Sequence, residues 1–161
     1  MDVGLTRTLR DLVRGRSVAA LGTLHSGEPF VSMVPYALFG KDHDFLIHVS
    51  ALAPHTRDML AHSRVSLLVT APEGGASGDL PPQALQRASV QGDALQLPSD
   101  SADYAAAKAA YLARFAQSAQ MFELADFSLF AIRAVSVRFV AGYGKAFSLS
   151  PAAYARALDS D

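Results

Sequence analysis

The chain has 161 residues, of which half are hydrophobic and 18% are charged, and its formal net charge is −1. A chain of this length buries roughly 70% of its unfolded surface, so we expect one globular domain over residues 1–161. The near-neutral charge argues against nucleic-acid binding, and no apolar run approaches the roughly 20 residues that cross a bilayer. Cysteine is absent, which excludes disulfides and thiolate chemistry and, with the charged N-terminus, predicts a cytoplasmic protein.

The first predicted elements are a helix and three strands. Apolar residues recur at helical spacing between Leu5 and Arg14, which predicts a short amphipathic helix. SVAALGTL and FVSMVPYALF flank the turn signal HSGEP and predict a β-hairpin. FLIHVS predicts a third strand beyond the polar turn GKDHD, where we expect His43 to be solvated.

The second half of the chain alternates helices and further strands. APHTRDMLAHS predicts a helix because Pro54 is tolerated at a first helical position, and RVSLLVTAP predicts the next strand. EGGASGDLPPQ predicts an exposed loop, and RASVQGDALQL predicts a strand with Gly92 at a bulge or a close backbone approach. ADYAAAKAAYLARF favours a helix capped by Asp100 or Ser101. FSLFAIRAVSVRFVAGYGKAF is a long β-type run, and SPAAYARAL suits a final helix.

These elements predict a mainly β (α+β) fold, with six antiparallel strands in a barrel and short peripheral helices. A parallel βαβ sheet is less economical because the first three strands lack crossover helices. Neither a Gly-rich nucleotide fingerprint nor a Walker pattern occurs. The five histidines lack metal-ligand spacing, so no metal site is predicted.

The stretch HVSALAPHTRDML places positive charge where a helix is predicted to begin. His55 and Arg57 in the first turn oppose the helix dipole by ~0.3–1 kcal/mol each if charged. A phosphate at this end would account for them, because free backbone N–H groups, Arg57 and the hydroxyls of Ser50 and Thr56 would converge on it. The alternative is that Arg57 is solvated and Asp58 compensates its charge locally.

Three segments occur in an order that carries a family resemblance: GEPFVSMVPYALFGKDHDFLIHVSALAPHTRDMLAHSRVSLLV, then RASVQGDA, then RFVAGYGKAF. The chain resembles the FMN-binding split-barrel proteins related to pyridoxamine 5′-phosphate oxidase, and is most similar to their HugZ-type heme-utilisation branch. The resemblance covers about residues 16–147. It implies a six-stranded antiparallel split β-barrel that forms a homodimer, with FMN in clefts at the subunit interface.

The resemblance also implies which residues contact the cofactor. SMVPYA matches the strand along the isoalloxazine and ribityl chain, HVS its neighbour, and HTR the phosphate-binding segment. Gln91 matches a strand that reaches the flavin from the other subunit, and GYGKA matches a Gly-aromatic-Gly motif that borders the cleft. The implied positions are Ser32, Met33, Val34, Pro35, Tyr36, His48, Val49, Ser50, His55, Thr56, Arg57, Gln91, Tyr143 and Lys145.

Taken without the resemblance, several of these residues have simpler interpretations. Met33, Val34 and Tyr36 are ordinary strand residues, and Pro35 suits an edge strand or a place where a ligand replaces a neighbouring strand. His48 on an apolar strand is typical of a hydrogen-bonded core histidine.

The sequence departs from two activities of the family. Residues 32–37 contain no Arg or Lys and SPAAYARALDSD has no arginine-rich ending, so vitamin B6 oxidation is not expected. Heme degradation is not expected either, because the chain stops shortly after GYGKAF, where HugZ-type proteins continue. We expect an FMN-dependent oxidoreductase acting on an unidentified small molecule, with no catalytic residue assigned. The alternatives are a non-catalytic flavin- or heme-binding carrier, store or sensor, and a dimeric scaffold whose cofactor site has decayed.

Overall fold

A computed structural model describes residues 1–74 and 80–160, which form an eight-stranded antiparallel sheet with four α-helices. The α+β split-barrel class is confirmed, with eight strands in place of the six predicted. The elements in chain order are α1 (Val3–Gly15), β1 (Val18–His25), β2 (Glu28–Pro35), β3 (Ala37–Phe39), β4 (Asp44–Ser50), α2 (Pro54–Ala61), β5 (Arg64–Thr70), β6 (Arg87–Leu97), α3 (Tyr104–Arg114), β7 (Phe127–Gly142), β8 (Lys145–Leu149) and α4 (Pro151–Asp159). Short 3-10 segments occupy Pro82–Ala84 and Ala116–Glu123.

The sheet closes into a barrel because its two outermost strands are consecutive in the chain. The strand order is β2-β1-β5-β6-β7-β4-β3, with β8 also paired to β7. The two ends of this order, β2 and β3, are successive segments separated only by Tyr36. The amide of Tyr36 donates to the carbonyl of Ser17 at 3.0 Å, and its buried hydroxyl donates to the carbonyl of Val13 at 2.6 Å. These bonds interrupt the single strand predicted there and account for one additional strand.

The other additional strand comes from the long β-type run near the C-terminus. Gly142 and Gly144 have φ values of +138° and +69°, a conformation that favours glycine. They turn the chain at Tyr143, so the run becomes the hairpin of β7 and β8.

The core fills the barrel and extends to three helices. In β5, Val65, Leu67 and Val69 point inward between exposed neighbours, the period of two expected of a strand with one buried face. Helices α1 and α4 contribute several apolar side chains to the same core, and α2 contributes Met59. β4 is buried on both faces because α3 and a second apolar cluster cover its outer side.

Gly92 confirms a sequence prediction. The register of β6 against β7 shifts between Gln91 and Gly92, and a Cβ at Gly92 would lie 2.7 Å from the carbonyl oxygen of Arg133. The position is therefore both a bulge and a close backbone approach.

Two local predictions are wrong. Helix α3 begins later than the proposed caps Asp100 and Ser101, because the backbone forms turns at Ser101 and Tyr104 first. Its N-cap position is Asp103, whose side chain makes no capping bond. His43 is buried, since its left-handed backbone turns the ring toward α4, where Nε2 lies 2.8 Å from Asp159 Oδ1. The predicted loop EGGASGDLPPQ includes residues 75–79, which lie outside the described residues. Within the described residues, no helix is long and apolar enough to cross a membrane.

Candidate functional site

The start of α2 brings two of the predicted residues together. Ser32 Oγ on β2 and His55 Nδ1 on α2 are 3.0 Å apart. Burial lowers the pKa of His55, and the nearby charge of Asp58 only partly opposes this effect. The helix begins after Ala53 without a side-chain cap, and Pro54 follows it. The start of α2 therefore carries a neutral imidazole that is paired with a hydroxyl and lies close to the exposed Arg57.

The two hydroxyls predicted to bind phosphate have partners within the protein. Thr56 Oγ1 donates to the carbonyl of Ser50 at 2.6 Å. Ser50 Oγ donates to Asp126 at 2.7 Å and accepts from the amide of Leu52 at 3.1 Å. Their hydroxyl protons thus hold the turn before α2 in place, and Arg57 is the predicted clamp's remaining charged donor.

Asp58 does not compensate the charge of Arg57. Its buried carboxylate accepts from Thr23 at 2.7 Å and lies 2.8 Å from His25 Nδ1, both on β1. Burial raises the pKa of Asp58, but the hydrogen bonds from Thr23 and His25 and the nearby imidazoles of His25 and His55 outweigh it, so the pKa lies below its usual value. Asp58 instead fastens α2 to the end of the barrel.

Four further predicted residues have buried side chains. Val34, Tyr36 and Val49 belong to the barrel core, where only their backbone could face a ligand. His48 lies on the opposite face of β4 and stacks on Phe122, with ring centroids 3.7 Å apart. Burial and the charge of Lys108 lower its pKa to about 4. The ring is therefore a neutral packing group.

An open cleft of about 550 Å³ crosses the outer face of β1, β2, β5, β6 and β7. One side of it is lined by apolar or small residues, among them Ala20, Gly22, Val31 and Leu68. The other side is polar and carries Ser89, Gln91, Ser136 and Arg138. Ser136 Oγ donates to Gln91 Oε1 at 3.1 Å.

Sequence reasoning found only Gln91 of this cleft. The available signal was the alternation in SVAALGTL, where Ala20 and Gly22 stand between buried Ala19, Leu21 and Thr23. Small residues facing outward leave the sheet surface accessible to a flat ligand.

The remaining predicted residues are exposed. Met33 and Pro35 lie on the edge strand β2, where Met33 pairs with Ala20. Tyr143 and Lys145 lie at the β7–β8 hairpin, which follows the end of β7 that pairs with the start of β6. That end of the sheet is opposite to α2, because the start of β6 pairs with the end of β5.

A profile of the pyridoxamine 5′-phosphate oxidase family matches residues 5–141. The chain belongs to this family. It is 33% identical to the chloroplastic non-canonical heme oxygenase HOZ of Arabidopsis thaliana over 142 residues, which cover 86% of this chain and 41% of that protein. A heme-binding protein from Mycobacterium smegmatis superposes with a TM-score of 0.81 at 31% identity, over 94% of this chain and 60% of that one.

Both of these relatives are longer than this family member, which spans less than two thirds of either. The heme storage protein HutZ of Vibrio cholerae superposes with a TM-score of 0.67 at 23% identity, over 80% of this chain and 86% of that one. At that identity the likeness concerns the fold alone.

Proposed function

We propose that this family member binds heme in the outer cleft. The observation that carries the proposal is the cleft itself: its volume of about 550 Å³ lies within the roughly 300–1,000 Å³ of small-molecule sites. Its apolar side suits a flat porphyrin face, and its polar side suits the acidic edge. The names of the relatives at 31% and 33% identity support heme as the occupant.

The residues of the cleft fit the porphyrin ring and its acidic edge, whereas none of the described residues that line it is a His, Cys, Met or Tyr that would ligate the iron. Ala20 and Gly22 have small side chains that project little from the sheet, so that a planar ring can lie against the backbone. Val31 and Leu68 supply apolar area at the margin of the cleft. Burying apolar surface contributes roughly 25 cal/mol per Å². Bound heme would supply redox and oxygen chemistry, while the protein supplies orientation and exclusion of water.

The test is a heme titration followed by visible absorption. We expect saturable binding in the parent chain and an affinity at least tenfold lower in Gly22→Leu, since the leucine side chain would fill the cleft. A Cβ at Gly22 meets its nearest neighbour at 3.7 Å, so the variant should fold. Gly15→Leu is the matched control, because a Cβ there meets nothing within 4 Å. Unchanged heme affinity in Gly22→Leu would place heme elsewhere.

We also propose a homodimer in which a second copy covers the outer face. Val31 and Met33 are 69% and 63% exposed on the edge strand β2, and contiguous exposed apolar surface is typical of an interface. A second copy would also exclude water from the cleft. Sedimentation should therefore give a dimer that Met33→Glu dissociates, whereas a stable monomer with full heme affinity would contradict the proposal. The cytoplasmic location remains part of the proposal, based on the cysteine-free sequence.

A second candidate is an FMN-dependent oxidoreductase acting on a small molecule. It is favoured by the Ser32–His55 pair beside the uncapped start of α2 and the exposed Arg57. A charge-assisted phosphate contact contributes about 1.5–3 kcal/mol, so Arg57→Ala should weaken FMN binding roughly 10- to 100-fold. Arg7→Ala, which removes an exposed charge on α1, is the control.

Equal FMN affinity in Arg57→Ala and the parent would reject this phosphate site. Tight FMN binding without electron transfer faster than that of free flavin would instead favour a carrier, store or sensor.

A further inference from the structure

We propose that Arg138 orients the ligand in the outer cleft by binding a carboxylate of a heme propionate. This proposal rests on the proposed heme function and adds the residue that recognises the ligand's acidic edge. Arg138 is the one charged residue among the described residues that line the cleft. A single cation on a wall of serine and glutamine side chains is suited to an acidic group.

The guanidinium of Arg138 keeps most of its donors available. Its Nη1 donates to Ser148 Oγ on β8 at 3.0 Å, whereas a guanidinium carries five N–H donors. The ion pairs among the described residues do not include Arg138. The Ser148 contact holds one nitrogen and leaves the rest of the planar fork for a bidentate carboxylate.

Three other arginines of the chain have structural roles. Arg14 donates to the carbonyl of Leu158 at the end of α4, and Arg114 donates to the carbonyls of Arg14 and Arg16 after α1. Arg64, at the far end of the outer face, binds both carboxylate oxygens of Asp93 at 2.8 and 3.3 Å. Arg138 differs from these because its guanidinium donates to a hydroxyl and not to a carbonyl or a carboxylate.

The polarity of the cleft gives this contact a direction. Arg138 on β7 pairs with Ser89 on β6, and the apolar residues Ala20 and Val31 lie on β1 and β2, beyond β5. A flat ligand with its acidic groups on one edge would place that edge toward β7 and its apolar body toward β2. The ligand class that fits is therefore a planar, acid-bearing molecule, and esterification of its acids should weaken binding.

The experiment compares heme with heme dimethyl ester in the full chain. We expect the parent to bind heme at least tenfold more tightly than the ester. Arg138→Gln should lose that preference, with heme affinity falling at least tenfold and ester affinity unchanged. Arg138→Lys retains the charge but not the planar fork of donors, so its preference for heme over the ester should lie between those of the parent and Arg138→Gln. Arg7→Gln removes the same charge from α1, outside the cleft, and should behave as the parent.

The outcomes separate this inference from the proposed function. If the parent binds neither heme nor the ester, the heme function is rejected. If the parent binds heme but Arg138→Gln retains the preference for heme over the ester, Arg138 does not recognise the acids and only this inference is overturned. An equal loss of heme and ester affinity would also overturn it, because that result indicates a general effect on the cleft. Circular dichroism of each variant checks that the fold is retained.

Discussion

Replacing Asp58 by alanine should loosen α2 and lower the stability of the whole fold. The side chain of Asp58 is 5% exposed and accepts from Thr23 at 2.7 Å. Losing a bond to a charged acceptor while leaving the buried Thr23 hydroxyl unpaired costs about 1.5–3 kcal/mol. His25, whose side chain is 48% exposed, adds about 0–1 kcal/mol because solvent screens its pairing with Asp58. The expected total is therefore about 1.5–4 kcal/mol.

Urea denaturation at fixed protein concentration measures this loss as a shift in the midpoint at constant slope. Asp11→Ala is the control, since the Asp11 side chain is 62% exposed beside Arg7. It should change the free energy of unfolding by no more than about 0.5 kcal/mol. A loss below about 0.5 kcal/mol in Asp58→Ala would refute the assignment of Asp58 as the fastener of α2.

The contribution of Asp58 should also depend on pH in a defined direction. The pKa of this carboxyl is lower in the folded protein than its usual value of 3.8. A depressed pKa means that the stabilisation is fully present above the unfolded value and is lost as the pH falls through the folded one. The stability difference between the parent and Asp58→Asn should therefore be steady near neutral pH and shrink below about pH 4. A difference that grows with acid would contradict the sign.

Two further predictions concern packing. The pKa of His48 is lowered to about 4, so the unfolded chain binds the proton first and His48 costs stability as the pH falls below about 6.5. His48→Phe should retain the stack on Phe122, and its free energy of unfolding should fall less than that of the parent between pH 7 and pH 5. Urea midpoints at both pH values measure this difference, and equal losses in the two proteins would contradict the prediction. Gly92→Ala places a Cβ 2.7 Å from the carbonyl of Arg133 and should cost about 1–3 kcal/mol. Gly15→Ala places its Cβ in open space and should not lower the free energy of unfolding. Similar melting temperatures for the two variants would contradict the close backbone approach at Gly92.

The elements that follow from local patterns were predictable. The spacing between Leu5 and Arg14 gave α1, and the composition of APHTRDMLAHS and RVSLLVTAP gave α2 and β5, with bounds close to those observed. Each of these depends on periodicity and turn chemistry within a few residues. Gly92 was recognisable for the same reason, because a glycine inside a strand pattern has few structural explanations.

What escaped sequence reasoning depends on partners distant in the chain. The break at Tyr36 requires the carbonyls of Val13 and Ser17, and the burial of His43 requires Asp159 on the last helix. The hydroxyls near α2 were assigned to a ligand because nothing local reveals that Asp126 binds Ser50. The outer cleft was missed since it is formed by five strands whose order is set by the whole sheet.

The central claim is that heme lies in the outer cleft, and the most direct measurement is an amide NMR spectrum of the chain with and without ferric heme. The unpaired electrons of the iron broaden signals close to the ligand. We expect the strongest broadening at the amides of Gly22, Ser66 and Ser89, which border the cleft, and weaker broadening at those of His55 and Arg57 at the start of α2. Broadening confined to the start of α2, or no broadening in the presence of excess heme, would contradict the account.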